Sequence, residues 1–364
     1  MVELADIFQR EGMQYRTKYG NHMLPSHQQT MRDLSRCRTS ELGGHVYSCP
    51  ACGDVQYQYH SCRNRHCPKC QGQRGREWLE KQQEILLPVP YFLLTFTLPE
   101  GLRSLARSNQ HLFYNTLFRT SAAAAKRLAL DPDYVGGQIG LVGVLHTWGR
   151  DLTYHPHVHY LVPAGGIGKD GEWLPVRNNF LFPVMALSKI FRAKFRDALQ
   201  KDDCFEHIPA QVWKQDWVVH CQTIGRGVGA LKYLAPYIFR VAISNRRIVG
   251  FAGGKVTYLY KPHGTKKFKR CTLTADEFIR RFLQHVLPRG FVKVRYYGFL
   301  SSAVRPKLKT LRAYLEKTYS CQREDVQGSD DASALSQKHP LCCPVCGCRM
   351  KLKRTIPRKG RSPP

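Results

Sequence analysis

Apolar runs in this chain are short and are divided by polar or glycine- and proline-rich stretches. Residues 1–35 are polar with isolated apolar anchors such as Met31 and Leu34, a pattern that predicts one or two short helices. Arg74–Glu84 reads as a linking helix stopped by Pro88 and Pro90. A buried strand is expected at Tyr91–Thr97 (YFLLTFT) and a helical region at Ser104–Leu130. Strands follow at Ile139–Thr147 and His157–Val162, the second closed by Pro163, Gly165 and Gly166. A helix over Val184–Leu199, a strand over Asp216–Cys221, a helix over Val228–Phe239 and a strand over Lys255–Tyr260 complete the centre. This order predicts an α+β fold in which an antiparallel sheet carries helices on one face.

Thr272 and Thr274 are candidate helix caps, with Glu277 three residues after Thr274, and Phe278, Phe282, Leu283, Val286 and Leu287 form an apolar stripe broken by Pro288. Val292–Leu300 is a further candidate strand, and Ser329–Gln337 is a polar spacer. The expected division is a helical region at 1–35, a cysteine-rich module at 36–73, a linking helix at 74–90, a core domain at 91–262, a basic helical extension at 263–320 and a basic tail at 321–364.

Charge narrows the partners. Lys and Arg number 56 against 27 Asp and Glu, a net charge of +29, and the isoelectric point is about 9.8. So large an imbalance repels itself unless a polyanion binds it, which leaves nucleic acid or an anionic membrane surface. The excess thickens at Lys261–Arg270 (KPHGTKKFKR) and at Arg349–Arg361. The opening MVELADIFQR has no cationic segment followed by an apolar one, and no apolar run reaches membrane-spanning length. A cytoplasmic, nucleic-acid-binding protein is expected, without a membrane partner.

Fourteen cysteines would suit a disulfide scaffold, but they cluster in Cys-x-x-Cys pairs, which favours metal binding in a reducing compartment. Residues 36–70 lack the apolar mass for a core, so a module there needs metal to fold. Cys49 with Cys52 and Cys67 with Cys70 supply four ligands for one tetrahedral zinc, and Cys37, His45, Cys62 and His66 suffice for a second. Full protein coordination leaves no open position, so the expected role is structural. Arg63, Arg65, Lys69, Arg74 and Arg76 flank the knuckles and suit phosphates, while Tyr57 and Tyr59 are candidates for base stacking. Cys343-x-x-Cys346, with Cys342 and Cys348, is a further candidate metal site, for which the preceding chain offers Cys321 and His339.

The strand Tyr154-His155-Pro156-His157-Val158-His159-Tyr160 places His157 and His159 on one face, half of a divalent-ion site. His155 shares their parity, but Pro156 bends the strand beside it. Tyr233 and Tyr237, four apart around Pro236 and beside Lys232, provide a pair of phenols. A phenol has a reference pKa near 10, so a nearby cation must lower it or polarise the phosphate under attack. An ion held by His157 and His159 and a tyrosine nucleophile together suit DNA cleavage through a phosphotyrosine, which conserves the phosphodiester energy for rejoining.

The segments SCRNRHCPKCQ, HPHVHYLVPAGG, YLAPYIFRVAISNRRI and EFIRRFLQHVLPRGFVKVRYYGFL, spread from about residue 61 to residue 300, resemble the two-tyrosine HUH transposases of the insertion sequence 91 family, named for a histidine–hydrophobic–histidine motif. The resemblance implies an HUH endonuclease core at 91–262, His157 and His159 as metal ligands served by Mg²⁺ or Mn²⁺, and Tyr233 and Tyr237 as paired nucleophiles. It further implies a 5′-phosphotyrosine intermediate, rolling-circle-like transfer, and single-stranded or hairpin transposon-end DNA and target DNA as partners in a prokaryotic nucleoid. The third metal ligand is left among His155, His146 and Gln222. No GxxxxGK[ST] loop is present, so strand separation is expected from a host helicase, from replication or from hairpin folding. Arg240, Arg246 and Arg247, after the tyrosines, and Lys266, Lys267, Lys269 and Arg270 of the basic loop are candidate DNA contacts. A plasmid or phage rolling-circle replication initiator would use the same nicking chemistry, and a non-catalytic zinc-containing DNA-binding regulator would share the zinc and the charge.

Overall fold

The computed structural model describes residues 2–71, 86–226, 240–262, 264–265, 267–320 and 341–359. The linking helix with Arg74 and Arg76, the helix expected over 228–239 with Lys232, Tyr233 and Tyr237, and Lys266, Cys321, His339 and the spacer 329–337 lie outside the described residues.

The first 35 residues form α1 (Leu4–Tyr19) and α2 (Pro25–Ser35), each with one buried face. Strands β1 (Gly44–Ser48) and β2 (Val55–Tyr59) follow. The centre begins with β3 (Pro90–Thr97), then α3 (Arg103–Ser108) and α4 (Gln110–Ala129). The helical run expected over 104–130 is thus split, because Asn109 takes a non-helical conformation (φ −121°, ψ 51°). Next come β4 (Leu141–Trp148) and β5 (Tyr154–Pro163), then a small hairpin of β6 (Gly165–Ile167) and β7 (Trp173–Pro175). Helix α5 (Val184–Leu199) precedes β8 (Val219–Arg226). That strand starts three residues later than Asp216 because Trp217 is buried, its indole donating to Val212 O at 2.9 Å and its carbonyl accepting from Ser188.

Strands β3, β4, β5 and β8 combine with β12 (Val294–Tyr297) in one antiparallel sheet of order β12-β4-β5-β3-β8. Side-chain alternation gives this sheet two unlike faces. Phe92, Leu94, Phe96, Val158, Tyr160 and Val162 point into the main core against Phe113, Leu117 and Phe118 of α4 and Phe191 and Phe195 of α5. The opposite face carries Leu93, Val142, Val144 and Leu161, covered by Leu308 and Leu315 of α7 (Arg305–Ser320). The expected antiparallel sheet is present, but helical cover lies on both faces.

The expected core boundary at 262 is crossed. Strand β10 (Lys255–Tyr260) belongs to a second sheet with β9 (Ile248–Ala252) and β11 (Lys269–Thr274), whereas β12, from the expected extension, is an edge of the central sheet. Helix α6 (Ala275–Leu283), capped by Thr274 accepting from Glu277 N, packs in one cluster with α1, α2, the second sheet and Cys37, Cys67 and Cys70. Phe8 meets Phe282 edge-on at 5.4 Å, and Lys18 pairs with Asp276 at 2.9 Å. The helical region, cysteine module and extension therefore share a core instead of forming successive domains. Likewise β13 (Lys351–Ile356), expected in a tail, pairs antiparallel with β1 in a sheet of order β13-β1-β2. Among the described residues no helix is long and apolar enough to cross a membrane.

Candidate active site

On the sheet face opposite the main core, β5 presents His157 and His159, and β4 places His146 directly across from His157. The three offer ring nitrogens that lie within 4.8 Å of one another. Their ring centroids are 5.5 Å (146–157), 5.0 Å (146–159) and 4.8 Å (157–159) apart. His146 is thus the third member, the candidate that shares neither the strand nor the spacing of the motif pair.

His155, expected as a further ligand, lies outside this group of mutually close ring nitrogens. The β4–β5 register shifts between His146 and Trp148, so β5 holds an extra residue near Pro156; His155 still lines the same cleft, its ring centroid 5.2 Å from that of His157. The Nδ1 of His155 lies 2.9 Å from Arg103 Nη2. A guanidinium only donates, so Nδ1 accepts and the proton of the neutral ring sits on Nε2, leaving no lone pair free for an ion. Gln222 faces Leu93 and lies in the row of Leu161, not of His159. With β3 between them, Gln222 and the histidine strand are about 10 Å apart.

The environment of the remaining histidines prepares Nε2. His157 Nδ1 is 2.6 Å from the His155 carbonyl, which can only accept, so the proton is on Nδ1. His159 Nδ1 is 2.8 Å from Thr95 Oγ1, a contact that places the same tautomer within reach. Trp148 stacks on His146 at 4.7 Å and 24°. Burial lowers the proton affinity of His157 to a pKa of about 4 and takes that of His159 well below the usual imidazole range, with the neighbouring charge of Arg240 acting in the same direction. The rings are therefore neutral near pH 7, the form that ligates metal. Three facing imidazoles fit a divalent ion and leave positions for phosphate oxygens or water.

The cluster forms the wall of an open cleft of about 540 Å³, also lined by Trp148, Arg150, Asp151, Arg240, Arg247 and Tyr260. Arg247 donates to Leu259 O at 2.7 Å and to Arg150 O at 2.5 Å, so it braces the wall as well as charging it. Arg240 is exposed at the cleft and Arg246 is exposed nearby in sequence. Lys267, Lys269 and Arg270 are exposed around the β10–β11 turn. Thr95, Arg103 and Trp148 escaped sequence reasoning. Each acts through a cross-strand or cross-element contact, for which residue spacing carries no signal.

The cysteines group differently from the expectation. Cys37, Cys62, Cys67 and Cys70 form one four-thiol cluster, whereas Cys49 and Cys52 stand beside Cys343 and Cys346. Sulfur separations in the first cluster include 3.6 Å for Cys37–Cys70, Cys62–Cys70 and Cys67–Cys37. Hydrogen bonding from Cys62 and Cys67 lowers the Cys37 thiol below its ordinary value. The two histidines expected among these ligands are elsewhere. His45 contacts Thr355 Oγ1 at 3.4 Å, and half-buried His66 accepts from Leu287 N at 3.3 Å. Of the flanking cations, Arg63 is exposed, but Arg65 donates to Phe291 O at 2.6 Å and Lys69 pairs with Glu3, so both brace the module against its neighbours. Tyr57 and Tyr59 stack at 6.1 Å, and Tyr57 is exposed.

Residues 140–307 match the family described as "Putative transposase", and residues 7–98 match "Transposase zinc-binding domain". The chain is 38% identical to "Putative transposase y4qJ" of Sinorhizobium fredii, over 94% of this chain and 92% of that one. It is 30% identical to the transposase for insertion sequence element IS801 of Pseudomonas savastanoi pv. phaseolicola, over 88% of this chain and 82% of the relative. No solved structure matches.

Proposed function

This chain belongs to the insertion sequence 91 family of transposases and carries that family's zinc-binding domain, and from that premise we propose that it is an HUH endonuclease that cuts and rejoins single-stranded transposon-end DNA through a 5′-phosphotyrosine. The observation that carries the reading is the facing of His146, His157 and His159 in a cleft charged by Arg240 and Arg247.

His146, His157 and His159 would hold Mg²⁺ or Mn²⁺, with Thr95 and the His155 carbonyl fixing the rings of His159 and His157. An ion bound there would supply Lewis-acid polarisation of the scissile phosphate and offset the charge developing on its oxygens. Arg240 and Arg247 attract the DNA backbone into the cleft. Tyr237 precedes Arg240 by three residues in the sequence. Tyr233 or Tyr237 attacks phosphorus with its phenolate oxygen; the Oη–P bond forms, the P–O3′ bond breaks, and the 3′-hydroxyl leaves. Attack by a 3′-hydroxyl on the phosphotyrosine reverses these bonds and joins the strands without ATP. The second tyrosine serves a second cleavage while the first end is still attached. Target DNA accepts the transfer, and a host helicase or replication supplies the single strand. Zinc held by Cys37, Cys62, Cys67 and Cys70 shapes the module that carries Arg63 toward DNA.

Incubation with single-stranded DNA bearing the element end and Mn²⁺ is expected to give a protein–DNA adduct that survives denaturation. Tyr233→Phe or Tyr237→Phe reduces it and the double substitution removes it. Adduct formation by the double variant would overturn the nucleophile assignment, and failure of the intact protein to form any adduct on its cognate end would overturn the mechanism. A gene flanked by hairpin-forming ends agrees with transposition, whereas an adjacent replication origin points to a replication initiator.

A further inference from the structure

A second group of four cysteines, apart from the histidine site and the first thiol cluster, comes from opposite ends of the chain. Cys49 and Cys52 lie in Cys-Pro-Ala-Cys-Gly (49–53), and Cys343 and Cys346 lie in Cys-Pro-Val-Cys-Gly (343–347). The two knuckles share one backbone design. The glycine is left-handed in both, with φ of +75° at Gly53 and +76° at Gly347, a conformation that costs a residue with a Cβ. Its N–H donates to the carbonyl of the first cysteine in both, Gly53 to Cys49 at 3.0 Å and Gly347 to Cys343 at 2.9 Å. The first cysteine N–H then donates five residues ahead, Cys49 to Asp54 O and Cys343 to Cys348 O, each at 2.8 Å. Cys67-Pro-Lys-Cys70 departs from this design: Gln71 replaces the glycine and the chain turns into helix. Knuckles of one type therefore face each other, although 290 residues separate them.

The sulfurs are set for an ion. Cys49–Cys346 is 3.4 Å, Cys52–Cys343 is 3.5 Å and Cys52–Cys346 is 3.6 Å. Four thiolates around zinc at about 2.3 Å would be about 3.8 Å apart, so little movement is needed. Beyond the β1–β13 ladder, apolar burial at this corner is small. Its buried apolar cluster consists of Cys49, Cys343 and Met350 with Tyr47 beside it, and β13 is exposed along Lys351–Thr355. A strand that buries so little apolar surface requires another tie to pair with β1.

We propose that Cys49, Cys52, Cys343 and Cys346 bind one zinc ion, separate from the Cys37/Cys62/Cys67/Cys70 site, and that this ion staples the C-terminal segment to the N-terminal module. Binding requires all four sulfurs as thiolates and releases their protons to solvent. The staple fixes the register in which Lys351 lies opposite Ser48 and Arg354 opposite Val46, and so displays a basic strand across β1 from the strand of Tyr57 and Tyr59. The ion completes a domain whose matched region, 7–98, ends far before Cys343.

Metal analysis of the full chain is expected to give two zinc ions, one per four-thiol cluster, and the Cys343→Ser/Cys346→Ser variant to keep one. Retention of that one reports that the remaining fold survives. Alkylation by N-ethylmaleimide, followed by mass spectrometry, tests the pairing. Cys52 and Cys346 are exposed, as are Cys342 and Cys348, so burial does not protect the first pair. In zinc-loaded protein Cys52 and Cys346 should react at least about tenfold more slowly than Cys342 and Cys348, since a coordinated thiolate is a poor nucleophile. Cys49→Ser/Cys52→Ser should raise the Cys346 rate to that of Cys348, while Cys52→His, which retains a ligand, should keep it slow. Any one of the following overturns the proposal: one zinc in the wild type, two zincs in the Cys343→Ser/Cys346→Ser variant, Cys346 reacting like Cys348 in the wild type, or a non-reducing mass showing these cysteines as disulfides.

Discussion

His157 and His159 differ from His155 in what meets Nδ1. A carbonyl holds His157 by its proton, a hydroxyl meets His159, and a guanidinium takes the lone pair of His155. His146→Ala should therefore abolish Mn²⁺-dependent adduct formation, with His155→Ala close to wild type. Thr95→Val, which leaves every proposed ligand in place, should lower metal affinity about 10- to 100-fold. Metal titration of adduct yield checks all three, and a His155→Ala protein as inactive as His146→Ala would return His155 to the ligand set. The motif pair was legible in the sequence because a strand alternates with period two. The sequence leaves the third ligand among His155, His146 and Gln222: His146 faces the pair through cross-strand pairing from β4, which residue spacing does not reveal.

At the scale of elements, patterning succeeded where one side chain decides little. Val184–Leu199 and Lys255–Tyr260 occur with the expected bounds, and the Thr274 cap forms with Glu277 N as its partner. It failed where a neighbour intervenes, as at β8, whose start is displaced by the docking of Trp217. Gly143 is a second such place. A methyl added there would come 2.5 Å from Tyr160 Cε1, and the Tyr160 ring is pinned through its hydroxyl to Ser121 at 2.8 Å and Phe118 O at 3.1 Å. Gly143→Ala should cost about 1–3 kcal/mol through overpacking. Thr274→Ala, which removes one cap bond at the surface, should cost about 1 kcal/mol. Denaturant unfolding measures both, and a Gly143→Ala protein no less stable than wild type would show that the Tyr160 ring can give way.

Across the whole molecule, the charge of +29 is displayed on separate pieces of chain that the fold gathers: the cleft arginines, the β10–β11 turn and β13. Lys351, Lys353 and Arg354 are exposed on β13, which has no counterpart in the central sheet. If they meet phosphates, replacing all three with alanine should weaken binding of single-stranded DNA at low salt. The slope of log affinity against log salt should also become shallower by about 2, since each lost contact to a single strand contributes about 0.7. An unchanged slope would place the DNA path away from this strand.

Net charge, cysteine pairs and a two-residue histidine spacing are local or summed properties, and they were sufficient to expect a zinc-bearing, DNA-acting α+β protein. Ligand partnership is different in kind. Whether Cys49 meets Cys67, 18 residues on, or Cys343, 294 residues on, depends on which backbone turns face each other. The choice of His146 over His155 depends on strand register. Those relations arise only when strands distant in sequence pair, because hydrogen-bonded ladders and buried contacts, not chain proximity, set the positions of ligand atoms to within an ångström.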